Sequence, residues 1–301
     1  MKFILSFLLI LSQVSSVFAC NITEEELKFR VLMIYASNIH YNSLFFPRIP
    51  FVNEGNLTKR EYNHIIDSVK KIYIPLFKEK GLNFRIEEAW DDDQTNAFAG
   101  VRGSDRYILL YGGYARHKLM TKDAYLSVVC HEVGHHLGGF PRKATSNWSS
   151  SEGQADYFST LKCMKEVLRK DEDNESFALS LELPNEVKEL CQDQHGIDQE
   201  YFICLRSAKA AEEHARVLVA LANKESVTKV FLMTPDENVS QITNLQHPSA
   251  QCRLDTKFQG ALCNVATTIA LDGYDERQGA CHPKSLSPLG SRPACWFVHK
   301  K

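Results

Sequence analysis

The run Cys130-His131-Glu132-Val133-Gly134-His135-His136-Leu137-Gly138-Gly139 constrains this chain more than any other stretch. Residues four apart share one face of an α-helix, so His131 and His135 can direct two imidazoles at a single ion. Glu132 lies about 100° further round, close enough to touch a water on that ion without ligating it. Leu126, Val129, Val133 and Leu137 recur at three- and four-residue intervals, and this apolar stripe predicts a buried helix from about Lys122 to Leu137. Gly138 and Gly139 are stop signals just past its last apolar residue. His136 cannot share the face that His135 presents, so it is not expected to be a ligand.

A zinc site that does chemistry takes three protein ligands and keeps a fourth position open. The helix provides two. The third is sought in Ser151-Glu152-Gly153-Gln154-Ala155-Asp156, where Glu152 and Asp156 are four apart and face the same way on a second helix. With Glu152 as ligand, Asp156 would accept a hydrogen bond from the far nitrogen of a ligating histidine, as such histidines generally require. Swapped roles for the two acids fit the spacing as well. Glu152 would also suit the first turn of any helix, where the dipole favours an acid.

Composition narrows the rest. The chain has 301 residues, a formal charge of −2, 44% hydrophobic and 24% charged residues, ordinary values for a globular protein. No basic block stands out, so a nucleic-acid partner is not expected. Lys2, the apolar run Phe3 to Leu11 and the small residues up to Ala19 read as a signal peptide over residues 1–19. That run is too short to span a bilayer. Nine cysteines leave one over; a lipidated Cys20 would tether the chain to a membrane and free eight for four disulfides. Cleavage after Ala19 without lipidation fits the same residues. The expected location is therefore outside the cytosol, as a periplasmic or outer-membrane-anchored lipoprotein or a secreted protein. Sequons begin at Asn21, Asn56, Asn147, Asn174 and Asn238.

Residues 20–301 are expected to form one α+β domain, mostly helical with a small mixed sheet: an N-terminal helical part (20–81), a core (82–168) and a cysteine-rich C-terminal part (169–301). Helices are expected over Thr23 to Ser37 and from Thr58 towards Gly81, each opened by a Thr-x-x-Glu box, the second kinked at Pro75. Asn38 to Asn56 is expected to be irregular, with Tyr41, Phe45, Phe46 and Phe51 packing or lining a groove. Leu82 to Trp90 and Arg106 to Tyr111 are strand candidates. Asp91-Asp92-Asp93 lacks the spacing of a calcium loop and reads as a solvated turn. Helices are expected over Ser149 to Leu168, Asp198 to Asn223 and Pro248 to Leu262, with a linker at Asp171 to Ser176 and an irregular, stapled tail from Asp272. A Cys130–Cys163 bridge would clamp the two metal-bearing helices. The remaining pairs by proximity are 191–204, 252–263 and 281–295, among fifteen connectivities.

His131-Glu132-Val133-Gly134-His135 followed by Glu152-x-x-Ala155-Asp156 resembles the gluzincin metallopeptidases, and within them the HtpX-like and CaaX-protease-like family. Asn96-Ala97-Phe98-Ala99, Tyr107 to Tyr111 with Gly112-Gly113, and His247-Pro248 with Arg253 resemble that family's further motifs in order. The likeness covers about a third of the mature chain. The membrane helices of those relatives are missing from this chain, and its cysteine-rich tail has no counterpart in them.

The resemblance implies a zinc-dependent endopeptidase acting on a polypeptide substrate, with one Zn2+ on His131, His135 and Glu152. Glu132 would take the proton of the attacking water and pass it to the leaving amine. His247 would either hydrogen-bond the oxyanion or cover the metal in a resting state, unless it merely precedes a helix at Pro248. Arg253 would bind a carboxylate near the site or make a structural salt bridge. The substrate would add as a strand near Asn96 to Ala99 or Tyr107 to Tyr111. Two other readings remain: an envelope binding or assembly lipoprotein that keeps the zinc fold without turnover, and a zymogen-like protein blocked by the His247 loop or the tail.

Overall fold

The computed structural model describes residues 42–43, 56–144, 146–222, 230–284 and 289–300. The signal peptide, Cys20, the helix expected at Thr23 to Ser37 and the aromatics Tyr41, Phe45, Phe46 and Phe51 lie outside the described residues.

The first long helix, α1 (Lys59–Glu79), starts where the Thr58 box predicts: Thr58 accepts from the Glu61 amide, and the Glu61 carboxylate accepts from the Thr58 amide. It continues through Pro75. Its inner face, Tyr62, Ile65, Ile66, Val69, Tyr73 and Phe77, is buried.

Four strands form one mixed sheet in the order β1-β3-β4-β2: β1 (Asn42–Ser43), β2 (Asn83–Ala89), β3 (Ala97–Arg102) and β4 (Asp105–Tyr111). β3 and β4 make an antiparallel hairpin, whereas β2 runs parallel to β4 from Asn83 opposite Asp105 to Ala89 opposite Tyr111. The periodicity reading had no strand at Ala97 to Arg102, because four consecutive buried residues erase the alternation of a one-faced strand. β4 is paired on both sides, so Tyr107 to Tyr111 is not an edge at which a substrate strand could add. On the outer side of β3, Ser43 and Asn42 pair with Phe98 and Ala99.

A short α2 (Gly112–Ala115) leads into α3 (Lys122–Leu137), which has the boundaries its sequence predicts and is capped by Thr121. The apolar stripe understates its burial: every residue from Asp123 to His135 is buried, so α3 is packed on all sides. α1 and the sheet cover it on one side and the later helices on the other, in one apolar cluster that includes Ile66, Ile108, Val129, Val133 and Met164.

α4 (Glu152–Phe158) passes through a π-helical turn at Ser159–Cys163 into α5 (Met164–Leu168). The extra residue of that turn resets the helical phase, a local change that apolar spacing does not encode. Then come α6 (Asn174–Leu179), partly in the expected linker, α7 (Asn185–His195), α8 (Gln199–Leu221), capped by Asp198, and α9 (Ala250–Leu262), capped by Ser249. α7 escapes periodicity because it buries only Val187 and Cys191. From Cys263 onward the described chain has neither helix nor strand. No helix among the described residues is long and apolar enough to cross a membrane.

Four disulfides join Cys130–Cys163, Cys191–Cys204, Cys252–Cys295 and Cys263–Cys281. The first two are as expected; the proximity pairs 252–263 and 281–295 are not. Cys252 lies near the start of α9 and Cys263 just past its end. Eleven residues of helix separate them by about 16 Å, far beyond the roughly 6 Å between Cα atoms that a disulfide tolerates. Each instead captures one cysteine of the irregular tail.

Cys130–Cys163 ties the metal helix to the turn after α4 across 33 residues. Replacing both cysteines by alanine is expected to lower the unfolding free energy by roughly 3 kcal/mol, mainly through the unfolded chain's regained freedom. Urea denaturation of the otherwise oxidised protein measures it, and an unchanged midpoint with an unchanged slope would contradict the clamp.

Candidate metal centre

α3 and α4 touch because Gly134 permits it. A Cβ there would meet the Ala155 carbonyl oxygen at 2.8 Å and the Ala155 Cα at 3.0 Å. Gly153 plays the matching part on α4: a Cβ would lie 2.4 Å from the Trp296 ring, so the tail's indole rests on the backbone between Glu152 and Gln154. The two helices therefore meet at backbone distance, and the side chains beside the glycines converge.

Those side chains are His131, His135 and Glu152, all at most 1% exposed. His131 Nε2 lies 3.2 Å and His135 Nε2 3.7 Å from the Glu152 oxygens, and the three ligand atoms fall within 4.8 Å of one another. Tetrahedral ligands at zinc distances are about 3.3 Å apart. Each imidazole is held by its other nitrogen: His131 Nδ1 donates to Asp156 Oδ1 at 2.8 Å, and His135 Nδ1 to the Ser150 carbonyl at 2.9 Å. Those bonds put the unprotonated nitrogens in the centre.

His131 Nε2, His135 Nε2, Glu152 Oε2 and Glu132 Oε2 are buried without a hydrogen-bond partner. Orphaned polar atoms of this kind are costly unless something satisfies them. The three ligand atoms that lie within 4.8 Å of one another, two nitrogen lone pairs and one carboxylate oxygen, fit a cation. The donor set suits Zn2+.

Beneath the cluster, Asp156 acts as the hub. Besides His131 it accepts from Arg253 Nε at 2.6 Å and Nη2 at 2.9 Å, and Lys257 Nζ stands 3.5 Å away. Burial alone would raise the Asp156 pKa, but Arg253, His131 and Lys257 hold it well below the carboxylate range. Burial likewise would depress His131, and the Asp156 charge reverses that, raising its pKa. At His135, with no carboxylate on Nδ1, burial wins and the pKa falls far below that of free imidazole. Burial pushes Glu132 up to about 8 against the pull of His131. Burial would raise Glu152 too, but His135, His131, His247 and Lys143 lower it.

The residues expected to form the site, His131, Glu132, His135, Glu152, Asp156, His247 and Arg253, are brought together here. His131, His135 and Glu152 converge, Glu132 adjoins them, and Asp156, not Glu152, orients the histidine. Arg253 makes the buried ion pair with Asp156. His247 Nε2 is 3.0 Å from Glu152 Oε2 and a third exposed, at the mouth of the cluster. His136 points away: its Nε2 meets the Tyr107 carbonyl, and its ring stacks on Trp148.

Five participants, Lys143, Lys257, His214, Ser127 and Tyr114, carry no signal in the motif spacing. Lys143 Nζ lies 2.6 Å from Glu152 Oε1. Lys257, fully buried, bonds His214 Nδ1 at 2.7 Å and Ser127 Oγ at 3.1 Å, and His214 Nε2 meets the Tyr114 hydroxyl at 2.7 Å. Burial lowers Lys257 to about 8. A charged residue in the interior turns of α9, four after Arg253, was the available signal: both project from one helix face.

Changing Asp156 to Asn removes the charge facing His131, Arg253 and Lys257. Zinc affinity is expected to weaken about 10- to 100-fold, read by competition with a chromophoric chelator; unaltered affinity would show that His131 needs no such partner.

No curated protein and no solved structure shows a significant match to the chain. Residues 62–188, from the inner face of α1 through the metal helix and its acidic partner to α7, match the model of peptidase family M48, a zinc-dependent family. The close contact of two helices, three converging ligand-type side chains and a neighbouring carboxylate thus sit within the matched segment, and the match supports an M48 gluzincin metallopeptidase.

Proposed function

We propose that this protein is a zinc-dependent endopeptidase that hydrolyses peptide bonds of proteins outside the cytosol, with His131, His135 and Glu152 as ligands and Glu132 as general base. The observation that carries the reading is the unpaired, buried Glu132 Oε2 beside three convergent ligand atoms. A bound zinc ion would supply Lewis acidity and make a water acidic enough to attack at neutral pH.

The chain's own residues would do the following. Glu132 receives the proton of the attacking water and returns it to the leaving nitrogen. Its raised pKa suits that exchange, and a cation on the three ligands would draw it down so that the base form persists near neutrality. Asp156 keeps His131 in the ligating tautomer, and Arg253 with Lys257 keeps Asp156 ionised. Lys143 and His247, both now against Glu152, are placed to donate to an oxyanion once a ligand turns Glu152 to itself. An extended substrate would add to the outer side of β3 by taking the place of Asn42–Ser43 at Phe98 and Ala99, where backbone pairing needs no particular side chains.

The location outside the cytosol is supported by four disulfides and by the apolar N-terminal run. Whether Cys20 carries a lipid tether is read by mass spectrometry of the mature N-terminus.

The 3.0 Å contact of His247 with Glu152 favours a second reading, in which this histidine covers the centre until substrate displaces it. The His247→Ala variant separates the two. A covering role predicts faster turnover; oxyanion donation predicts a kcat lowered about 10- to 1000-fold.

For the main reading, Glu132→Gln should retain zinc and the fold while losing about 100- to 10,000-fold in kcat/KM on unfolded casein. Chelation should abolish wild-type activity and added zinc restore it. A zinc-loaded, folded wild type inert on all denatured proteins would favour a binding or assembly role instead, and equal activity in Glu132→Gln would remove the base.

A further inference from the structure

A second group of ligand-type side chains lies in the cysteine-rich tail, outside residues 62–188. Glu276, His282 and His299 bring one ligand atom each to within 4.8 Å of the others. Glu276 and His282 are each 4% exposed, and the His299 side chain is 19% exposed. The two imidazoles stand edge to face, with centroids 4.9 Å apart at 87°. The ligand pair on α3 has nearly the same arrangement, 4.7 Å and 85°.

The hydrogen bonds here leave acceptors, not donors, unsatisfied. His299 Nε2 donates to the Arg292 carbonyl at 3.0 Å, which makes its Nδ1 a lone pair. That nitrogen is buried without a partner, and so is Glu276 Oε2. Glu276 Oε1 accepts from His282 Nε2 at 3.0 Å and from the Lys300 amide at 3.1 Å. The Arg292 guanidinium donates to the Glu276 carbonyl and to Gln154 Oε1. His299 Nδ1 lies 3.9 Å from Glu276 Oε1, and the other oxygen of that carboxylate is the second unpartnered acceptor, so a cation between the two residues would satisfy both.

We propose that Glu276, His282 and His299 bind a second divalent transition-metal ion, zinc by the nature of the donors, which fastens the tail to the metal-bearing helices. The ion takes Glu276 Oε2, His299 Nδ1 and His282 Nε2. Ligation through Nε2 moves the one proton of the neutral His282 ring to Nδ1. The Lys284 amide, which now donates to Nδ1 at 3.1 Å, then turns to water at its exposed position.

The site has a task to perform. This part of the chain has no helix or strand of its own, and two disulfides anchor it to α9. From Glu276 a line of hydrogen bonds runs through Arg292 and Gln154 to the Gly138 carbonyl at the end of the metal helix. An ion at Glu276 would fix that line at its outer end and hold Trp296 on Gly153.

The test is metal content by plasma mass spectrometry after zinc loading and exhaustive dialysis of the full chain, for wild type, His135→Ala, Glu276→Gln and His299→Phe. Two zinc ions in wild type and one in each variant are expected. A folded His135→Ala protein loaded with Co2+ should also show the visible absorption of a nitrogen- and oxygen-ligated ion, a readout that leaves the tail unaltered. One ion in wild type, lost in His135→Ala, would overturn the proposal and leave the helix site standing. Two ions retained in both tail variants would overturn it as well. One ion that survives in His135→Ala but not in His299→Phe would uphold the tail site and sink the catalytic reading.

Discussion

The buried carboxylate of Asp156 is what the rest of this structure depends on. It accepts from His131 on α3 and from Arg253 on α9, and it faces Lys257 on the same side of α9. A lone carboxylate at full burial would take up a proton; the cations of Arg253 and Lys257, with the His131 N–H, keep it ionised. In return it fixes the tautomer of His131, one of the three convergent ligand-type side chains, and gives α9 a reason to pack against α4. Fold and chemistry meet in this group, because removing it leaves two buried cations uncompensated as well as a histidine without orientation.

Around that hub the architecture serves close approach. Gly134 lets α4 reach the metal helix, Gly153 lets the tail's Trp296 reach α4, and Cys130–Cys163 fixes the first contact covalently. The metal helix is buried on every side, so its histidines have few alternative positions. Their desolvation is unfavourable for charge, which is why His135 stays neutral and why a cation between the ligands would satisfy atoms that nothing else reaches.

The legible and illegible parts of the sequence divide along physical lines. α3, α8 and α9 are long, with caps at Thr121, Asp198 and Ser249, and local rules place them. The His-Glu-x-x-His spacing and the acid pair at Glu152 and Asp156 encode their geometry in the helical period, so the convergence of these groups could be derived. What could not be derived arises from contacts between distant segments. Lys143 reaches Glu152 from a loop, and Lys257 reaches Ser127 across 130 residues. The tail cysteines pair across a helix whose length rules out the nearest partners. β3 was hidden for another reason: a strand buried on both faces loses the alternation by which strands are read.

The central claim is that two imidazoles and one carboxylate from adjoining helices hold a single zinc ion. Anomalous diffraction at the zinc edge, on crystals of the zinc-loaded protein, tests it directly. The account predicts a peak about 2.0–2.2 Å from His131 Nε2, His135 Nε2 and a Glu152 oxygen, with Glu132 beside it but not bonded. Strong zinc peaks elsewhere, and none between those three side chains, would contradict it.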